Sequence, residues 1–146
     1  MVYIERTLEP AVAAFIRARE PHKDVLLVEG ARQVGKTSLV EHAIAAADKR
    51  ASVTNLERDA RLCSLIDRCH DFAEFEQVLA DRLSFAPGPD TLLFIDESQE
   101  SRQLGRFIRF MKEQWRSATV ILSGSTLSRL FRDDVRYPVG RVRQIV

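Results

Sequence analysis

A glycine-rich octapeptide, set between a short apolar run and an amphipathic segment, constrains the fold of this chain more than any other feature. It occupies residues 30–37 (GARQVGKT) and follows the apolar run of residues 25–28 (VLLV). A four-residue apolar run favours a strand that is buried on both faces. After the octapeptide, apolar side chains recur at helical spacing at Leu39, Val40, Ala43, Ile44 and Ala47. The order therefore predicts a strand, a tight turn and a helix.

The octapeptide matches the pattern G-x-x-x-x-G-K-[ST]. Glycines let such a loop curl so that successive N–H groups point at phosphate oxygens, and the following helix N-terminus adds a favourable dipole. We expect Lys36 to neutralise the β and γ phosphates of a nucleotide and Thr37 to offer its hydroxyl to Mg²⁺. The alternative is an ordinary strand-to-helix turn with a solvated lysine. The predicted cofactor-binding residues are Gly30, Arg32, Gln33, Val34, Gly35, Lys36, Thr37 and Ser38.

A second apolar run, residues 92–95 (LLFI), ends in the carboxylates Asp96 and Glu97. The run predicts a buried strand of the Walker B kind, whose carboxylates emerge at its C-terminal end beside the glycine-rich loop. Asp96 would then hold Mg²⁺. Glu97 would activate the attacking water as general base. A strand end capped by solvated acids is the alternative.

A further strand is predicted over residues 119–122 (TVIL), and it ends in Ser123. If this strand lies between the other two, a polar side chain at its tip could hold the lytic water or touch the γ phosphate. Ser123 is the first candidate for this role and Ser125 the second. Small polar residues in a strand-ending turn are the alternative.

Strands and helices alternate along the rest of the chain. The predicted strands are residues 25–28, 52–56, 92–95, 119–122 and, at the end, 142–146. The first helix carries Leu8, Val12, Phe15 and Ile16, with Pro10 expected in its first turn. A polar connection follows the second strand, and then helices that carry Phe72 and Phe107. This alternation predicts an α/β fold with a parallel sheet between two layers of helices and a ligand site at the carboxyl ends of the strands.

These motifs resemble the prokaryotic AAA-type ATPases of the archaeal ATPase-like group. The resemblance rests on residues 32–37 (RQVGKT), residues 96–99 (DESQ), residues 123–126 (SGST) and the pair Gly140-Arg141. It implies a three-layer P-loop NTPase sandwich with strand order 5-1-4-3-2. It also implies that Lys36, Thr37, Asp96 and Glu97 take the roles given above, that a sensor lies near Ser123, and that Arg141 contacts the γ phosphate in its own or a neighbouring subunit.

The chain departs from the family pattern at three points. Ser98 stands where an apolar residue is usual, and Ala31 replaces a common proline. Similar proteins continue past the Gly-Arg pair into a separate C-terminal domain. We therefore expect residues 1–146 to form a single ATPase core that is truncated relative to the family and coupled to a partner or to that domain.

The composition sets limits on the class of protein. With 146 residues, 45% hydrophobic and 29% charged, the chain fits one globular domain. Its apolar runs fall far short of the roughly 20 residues of a membrane span, and its first ten residues lack a signal sequence. We therefore expect a cytoplasmic protein with no membrane partner. Cys63 and Cys69 lack the further ligands of a four-ligand metal set and are interpreted as reduced structural thiols.

The charge is distributed unevenly. Residues 1–100 contain 12 Lys and Arg against 18 Asp and Glu, and residues 101–146 contain 10 against 3, a net −6 and +7. The basic part could contact nucleic acid, an acidic partner or the acidic part of the fold. Arg102, Arg106, Arg109 and Arg116 are predicted to share one helix face, and a solvated surface helix is the favoured interpretation. Nucleic acid remains possible but unsupported.

The leading hypothesis is Mg²⁺-dependent binding and hydrolysis of ATP, with a homo-oligomer or a protein partner possible. A nucleotide-dependent switch with little turnover is the alternative. A small-molecule kinase that uses Arg129, Arg132 and Arg136 is less favoured, because Glu97 suits the activation of water. A GTPase is disfavoured because no N-K-x-D motif occurs in the chain.

Overall fold

The computed structural model describes residues 2–19, 21, 24–29, 36–127 and 141–143, with side chains described within 10–19, 21, 24–29 and 38–127. Strands and helices alternate along this part of the chain. The helices are α1 Val2–Arg17, α2 Lys36–Ala45, α3 Ala60–Asp67, α4 Phe72–Leu83 and α5 Leu104–Gln114, and a short 3₁₀ helix spans Ser98–Glu100. The strands are β1 Leu26–Glu29, β2 Arg50–Asn55, β3 Thr91–Asp96, β4 Thr119–Gly124 and β5 Arg141–Arg143.

The five strands form one parallel sheet in the order β2-β3-β4-β1-β5. Read from β5 to β2, this is the predicted order 5-1-4-3-2, so the expected fold class is confirmed. In the register of the sheet, Asn55 of β2 lies opposite Asp96 of β3, and Gly124 of β4 lies opposite Glu29 of β1. Because the strands of a parallel sheet run in one direction, their carboxyl ends lie at the same edge of the sheet. The last residues of β1, β2, β3 and β4 therefore lie side by side.

Helices cover both faces of the sheet, and alternate strand residues point to opposite sides. Leu93, Ile95, Val120 and Leu122 pack in one core cluster with α3, α4 and α5. Their neighbours Leu92, Phe94 and Ile121 pack in a second cluster with α1 and α2. Strand side chains alternate with a period of two, so strands that are apolar throughout supply both cores. The result is the predicted three-layer sandwich.

Two details of the sequence prediction are wrong. Helix α1 begins at Val2, so Pro10 lies inside the helix and not in its first turn. The segment after β2, expected to be a polar connection, contains helix α3. The Asp59 side chain caps this helix by accepting a hydrogen bond from Leu62 N at 3.0 Å, and Leu62 and Ile66 are its buried residues. Two apolar residues on an eight-residue helix give too weak a period to detect against its polar neighbours.

Candidate functional site

The site is built around the carboxylate of Asp96, the last residue of β3. Asp96 is only 3% exposed. Its Oδ1 accepts hydrogen bonds from Ser123 Oγ at 2.6 Å and from Glu97 N at 2.8 Å. Its Oδ2 accepts from Asn55 Nδ2 at 3.4 Å. Side chains at the ends of β2 and β4 therefore hold this carboxylate from both sides.

Asn55 is oriented by the turn that follows β2. Its Oδ1 accepts hydrogen bonds from the backbone N–H groups of Glu57 at 2.8 Å and Arg58 at 3.1 Å. An Asn side chain that satisfies the following turn in this way is a common turn device. Because the oxygen is used by the turn, the NH₂ group is the end that faces Asp96.

Glu97 has an unusual backbone conformation. Its φ of 50° and ψ of 46° lie in the left-handed region, which few residues other than glycine adopt. Its side chain is 6% exposed, and Oε1 accepts a hydrogen bond from Gln99 Nε2 at 2.7 Å. The sharp turn ends β3 directly after Asp96 and leads into the 3₁₀ helix. Strain of this kind is concentrated at functional sites.

The turn after Glu97 is fixed by its own hydrogen bonds. Ser98 is fully buried, and its hydroxyl donates to the Ile95 carbonyl at 2.8 Å. This bond satisfies the polar group that stands where the family usually has an apolar residue. The departure at Ser98 is therefore accommodated within the turn.

Ser123 lies fully buried in β4, beside Asp96. A hydroxyl has one proton to donate, and here that proton goes to Asp96 Oδ1. The structure thus brings together Ser123 and Asp96, which the sequence placed at the ends of two strands. The second candidate, Ser125, is half-buried and directly follows the end of β4.

The glycine-rich loop connects β1 to α2. β1 ends at Glu29 and α2 begins at Lys36, so the predicted strand before the octapeptide and the predicted helix after it are confirmed. Ser38 is exposed in the first turn of α2. Gly30, Arg32, Gln33, Val34 and Gly35 lie outside the described residues, as do the side chains of Lys36, Thr37 and Arg141. Arg141 itself begins β5, opposite Leu27 of β1.

A cleft of about 800 Å³ opens next to Asp96 and Glu97. Helix α2 contributes Ser38 and Glu41 to its wall, and β2 contributes Asn55. The two carboxylates of β3 thus face a space that begins at the N-terminal end of α2. That end of a helix favours negatively charged groups.

Sequence reasoning found Asp96, Glu97 and Ser123 but gave no role to Asn55, Gly124 or the side chain of Gln99. Asn55 carried one usable signal, because it is the next-to-last residue of a predicted strand and so lies near the edge at which Asp96 is expected. Gln99 and Gly124 belong to the motifs that carry the resemblance, but only the folded chain brings the two residues together.

The two cysteines are free and lie away from this site. Burial, followed by the negative charges of Asp67 and Glu100, raises the pKa of the Cys63 thiol to about 11. Burial also raises the pKa of Cys69, with smaller contributions from Glu74, Asp71 and Asp67. Among the described residues, no group of three or more His, Cys, Asp and Glu could hold a metal ion.

The arginine surface differs from its prediction. Arg106 and Arg109 are exposed on α5, but Arg102 precedes that helix and Arg116 follows it. The four side chains therefore do not form one helix face. Arg129, Arg132 and Arg136 lie outside the described residues.

The fold and the site define a class of protein. A five-stranded parallel sheet in this order, with a helix that begins just beyond β1 and a buried Asp-Glu pair at the end of β3, is the core of an AAA-type P-loop ATPase. A family model described as an AAA domain matches residues 22–146, and the chain belongs to that family.

Solved structures share the fold at low sequence identity. RuvB of Thermotoga maritima matches with a TM-score of 0.56 and 16% identity, over 100% of this chain and 45% of that one. Drosophila ORC bound to DNA matches with a TM-score of 0.52 and 16% identity, over 99% and 46%. PCH-2 of C. elegans matches with a TM-score of 0.51 and 19% identity, over 97% and 43%. The chain thus spans less than half the length of these structures.

No curated protein sequence matches the chain. Within the described residues, no helix is long and apolar enough to cross a bilayer.

Proposed function

We propose that this chain binds ATP together with Mg²⁺ and hydrolyses it to ADP and phosphate. The observation that carries the proposal is the buried pair Asp96 and Glu97, held at the strand edge where the glycine-rich loop begins. β4 alone separates β3 from β1 in the sheet. The carboxylates and the end of β1, after which the loop begins, therefore lie at one edge of the sheet, which is where parallel α/β sheets bind ligands.

The loop is proposed to hold the phosphates of ATP. Backbone N–H groups of the stretch from Gly30 to Gly35, including those of Arg32, Gln33 and Val34, would donate to phosphate oxygens. Lys36 would neutralise the β and γ phosphates, and Ser38 would follow within the first turn of α2. The N-terminal end of α2 adds its dipole to this attraction.

The donor set at the site suits Mg²⁺, which prefers oxygen ligands and keeps several waters. Asp96 is a buried carboxylate whose orientation is already fixed by Ser123 and Asn55. Thr37 would add its hydroxyl from the start of α2. When bound, Mg²⁺ neutralises charge on the β and γ phosphates.

Glu97 is the proposed general base. Its carboxylate is buried, and the Gln99 amide holds one of its oxygens. A base in a fixed orientation can accept the proton of an attacking water without first losing rotational freedom. The left-handed backbone turns this side chain away from the line of the strand.

Ser123 and Arg141 are proposed to support the reaction from β4 and β5. Since the Ser123 hydroxyl gives its proton to Asp96, it can only accept a hydrogen bond from a water or ligand. Its proposed contribution is therefore to orient Asp96. Arg141 is proposed to approach the γ phosphate in its own or a neighbouring subunit.

The setting of this activity is a proposal as well. We infer that residues 1–146 form one ATPase core that works with a second copy or a protein partner in the cytoplasm. Drosophila ORC is described as bound to DNA. For this chain, contact with nucleic acid remains without support.

Phosphate release and nucleotide binding test the proposal together. Wild-type protein should bind Mg-ATP in preference to Mg-GTP and release phosphate, and removal of Mg²⁺ with a chelator should stop the release. Lys36→Ala should lose binding. Lys49→Ala should behave as wild type, because Lys49 directly precedes β2 and lies at the amino ends of the strands, away from the carboxylates. Absence of ATP binding by the wild type would refute the proposal. Binding without release would favour the nucleotide-dependent switch.

A further inference from the structure

Gln99 is a buried neutral side chain whose amide nitrogen has a hydrogen-bond partner and whose amide oxygen has none among the described residues. It is 7% exposed and lies in the 3₁₀ helix just after Glu97. Its Nε2 donates to Glu97 Oε1 at 2.7 Å. Its Oε1 is buried and finds no hydrogen-bond partner among the described residues. A buried carbonyl oxygen without a hydrogen-bond partner lowers the stability of the folded protein. The benefit of Gln99 at this position must therefore come from its hydrogen bond to Glu97.

The position of Gln99 depends on Gly124, the last residue of β4. A Cβ atom at position 124 would overlap Gln99 Oε1 and lie 2.8 Å from Leu127 Cδ2. Only glycine leaves room for the amide at this point. The backbone around it is also tied in place, because Leu127 N donates to Glu29 Oε2 at 3.0 Å.

The contact places the amide on one particular side of Glu97. β4 lies between β3 and β1, and Gly124 is in register with Glu29, which directly precedes Gly30. The Gln99 amide therefore draws the Glu97 carboxylate towards β4 and the start of the glycine-rich loop. The opposite side, towards β2, is where Asn55 meets Asp96.

We propose that Gln99 is a positioning residue, which holds the Glu97 carboxylate on the side of β4 for attack on the phosphate, and that Gly124 is required to admit it. This inference rests on the proposed ATPase function. Two local departures from favourable structure, the left-handed Glu97 and the unpartnered Gln99 oxygen, occur within three residues of each other. Sites that violate local rules in this way are usually kept for function.

The test compares Gln99→Met with Gln103→Met. Both variants exchange an amide for an apolar chain of similar length, but the Gln103 side chain lies just before α5 and accepts a hydrogen bond from Arg106. Gln99→Met should lower kcat by about tenfold or more, as loss of an orienting partner does elsewhere. Its affinity for Mg-ATP should stay close to that of wild type, because the phosphate-binding loop is unchanged. Gln103→Met should have wild-type kcat.

Gly124→Ala gives a second, independent route to the same contact. It should lower kcat as Gln99→Met does, and the double variant should be no slower than the slower single variant, because both act on one hydrogen bond. Each variant is compared at equal folded fraction, measured by its thermal melting curve.

Three results would overturn the inference. One is a Gln99→Met kcat within about twofold of wild type, and another is additive losses in the double variant. The third is equal loss of kcat and of ATP affinity, which would indicate a structural role. Failure of the proposed function is a different result, namely no phosphate release by the wild type, and the inference would fall with it.

Discussion

At the scale of single residues, the site depends on one carboxylate being held from three directions. Asp96 receives hydrogen bonds from Asn55 on β2, from Ser123 on β4 and from the next backbone N–H. A buried carboxylate needs such donors, because its transfer from water is costly without them. The same donors fix the direction in which Asp96 can offer an oxygen to Mg²⁺.

Ser123→Ala tests that arrangement. The variant removes a 2.6 Å hydrogen bond from a buried carboxylate, so we expect a loss of about 1–3 kcal/mol of stability. The Mg²⁺ concentration for half-maximal phosphate release should rise by about tenfold. Denaturant unfolding and a Mg²⁺ titration measure the two effects. Ser125→Ala, at the half-buried second candidate, should change neither, and an unaltered Mg²⁺ titration in Ser123→Ala would contradict the assigned role.

Cys63 gives a prediction about pH. Burial, followed by the charges of Asp67 and Glu100, raises the pKa of its thiol to about 11. Only the thiolate reacts, and roughly a thousandth of Cys63 is ionised at pH 8. In a Cys69→Ala background, alkylation at pH 8 should be at least about tenfold slower than that of a free thiol and should accelerate up to pH 10. Asp67→Asn should speed it, because a negative charge is removed. Rapid labelling at pH 8 would contradict the raised pKa.

At the scale of elements, the connection from β3 to α5 is held by a residue from another helix. Asp67, the last residue of α3, accepts hydrogen bonds at its Oδ1 from Ser101 Oγ at 2.6 Å, Arg102 N at 2.9 Å and Gln103 N at 3.1 Å. Ser101 Oγ in turn accepts from Leu104 N at 3.1 Å, at the start of α5. The Asp67 carboxylate thus caps the turn that leads into α5, and Ser101 in that turn accepts from the first N–H of the helix.

Asp67→Ala should destabilise the protein. It leaves the backbone N–H groups of Arg102 and Gln103, just before α5, without this acceptor, and we expect a loss of about 1–3 kcal/mol. Asp81→Ala is the matched control, since Asp81 is exposed on α4 and accepts a hydrogen bond from the neighbouring Gln77 side chain. Urea unfolding of both variants measures the difference. Equal midpoints for Asp67→Ala and Asp81→Ala would show that the cap contributes nothing.

The elements also show what sequence patterns could and could not reveal. Strands β1 and β3 are predictable because each contains a four-residue apolar run, and such runs are buried on both faces, as Leu92 to Ile95 are here. Helix α3 was missed because eight residues with two buried side chains carry little periodic signal. Pro10 was placed in a first turn because its cost inside a helix argues against an interior position.

At the scale of the whole molecule, the alternation of strands and helices predicted the parallel sheet and its two helical layers. The order of the strands came from the resemblance to a family, since alternation alone permits several orders. The site could be predicted only in part, because the sequence shows which residues follow a strand but not which strands are neighbours. Asp96, Glu97 and Ser123 follow apolar runs and so belong to one edge, whereas the meeting of Gln99 with Gly124 depends on which strands are neighbours.

The whole molecule also explains why distant parts of the chain share one site. The glycine-rich loop follows β1, the carboxylates follow β3, and Ser123 lies in β4 between them in the sheet. Each part is positioned by a strand that is buried from both faces. The carboxylates and Ser123 are therefore held by the sheet, and their roles can be tested one side chain at a time.

The most direct test of the ATPase account is a paired measurement of Mg-ATP affinity and phosphate release in Glu97→Gln. The account predicts affinity within about threefold of wild type and release slower by about a hundredfold or more, because the variant keeps the shape of the side chain and loses its basicity. Glu100→Gln, at an exposed position in the 3₁₀ helix that follows Glu97, should release phosphate at the wild-type rate. A Glu97→Gln protein that hydrolyses ATP as fast as wild type would contradict the account.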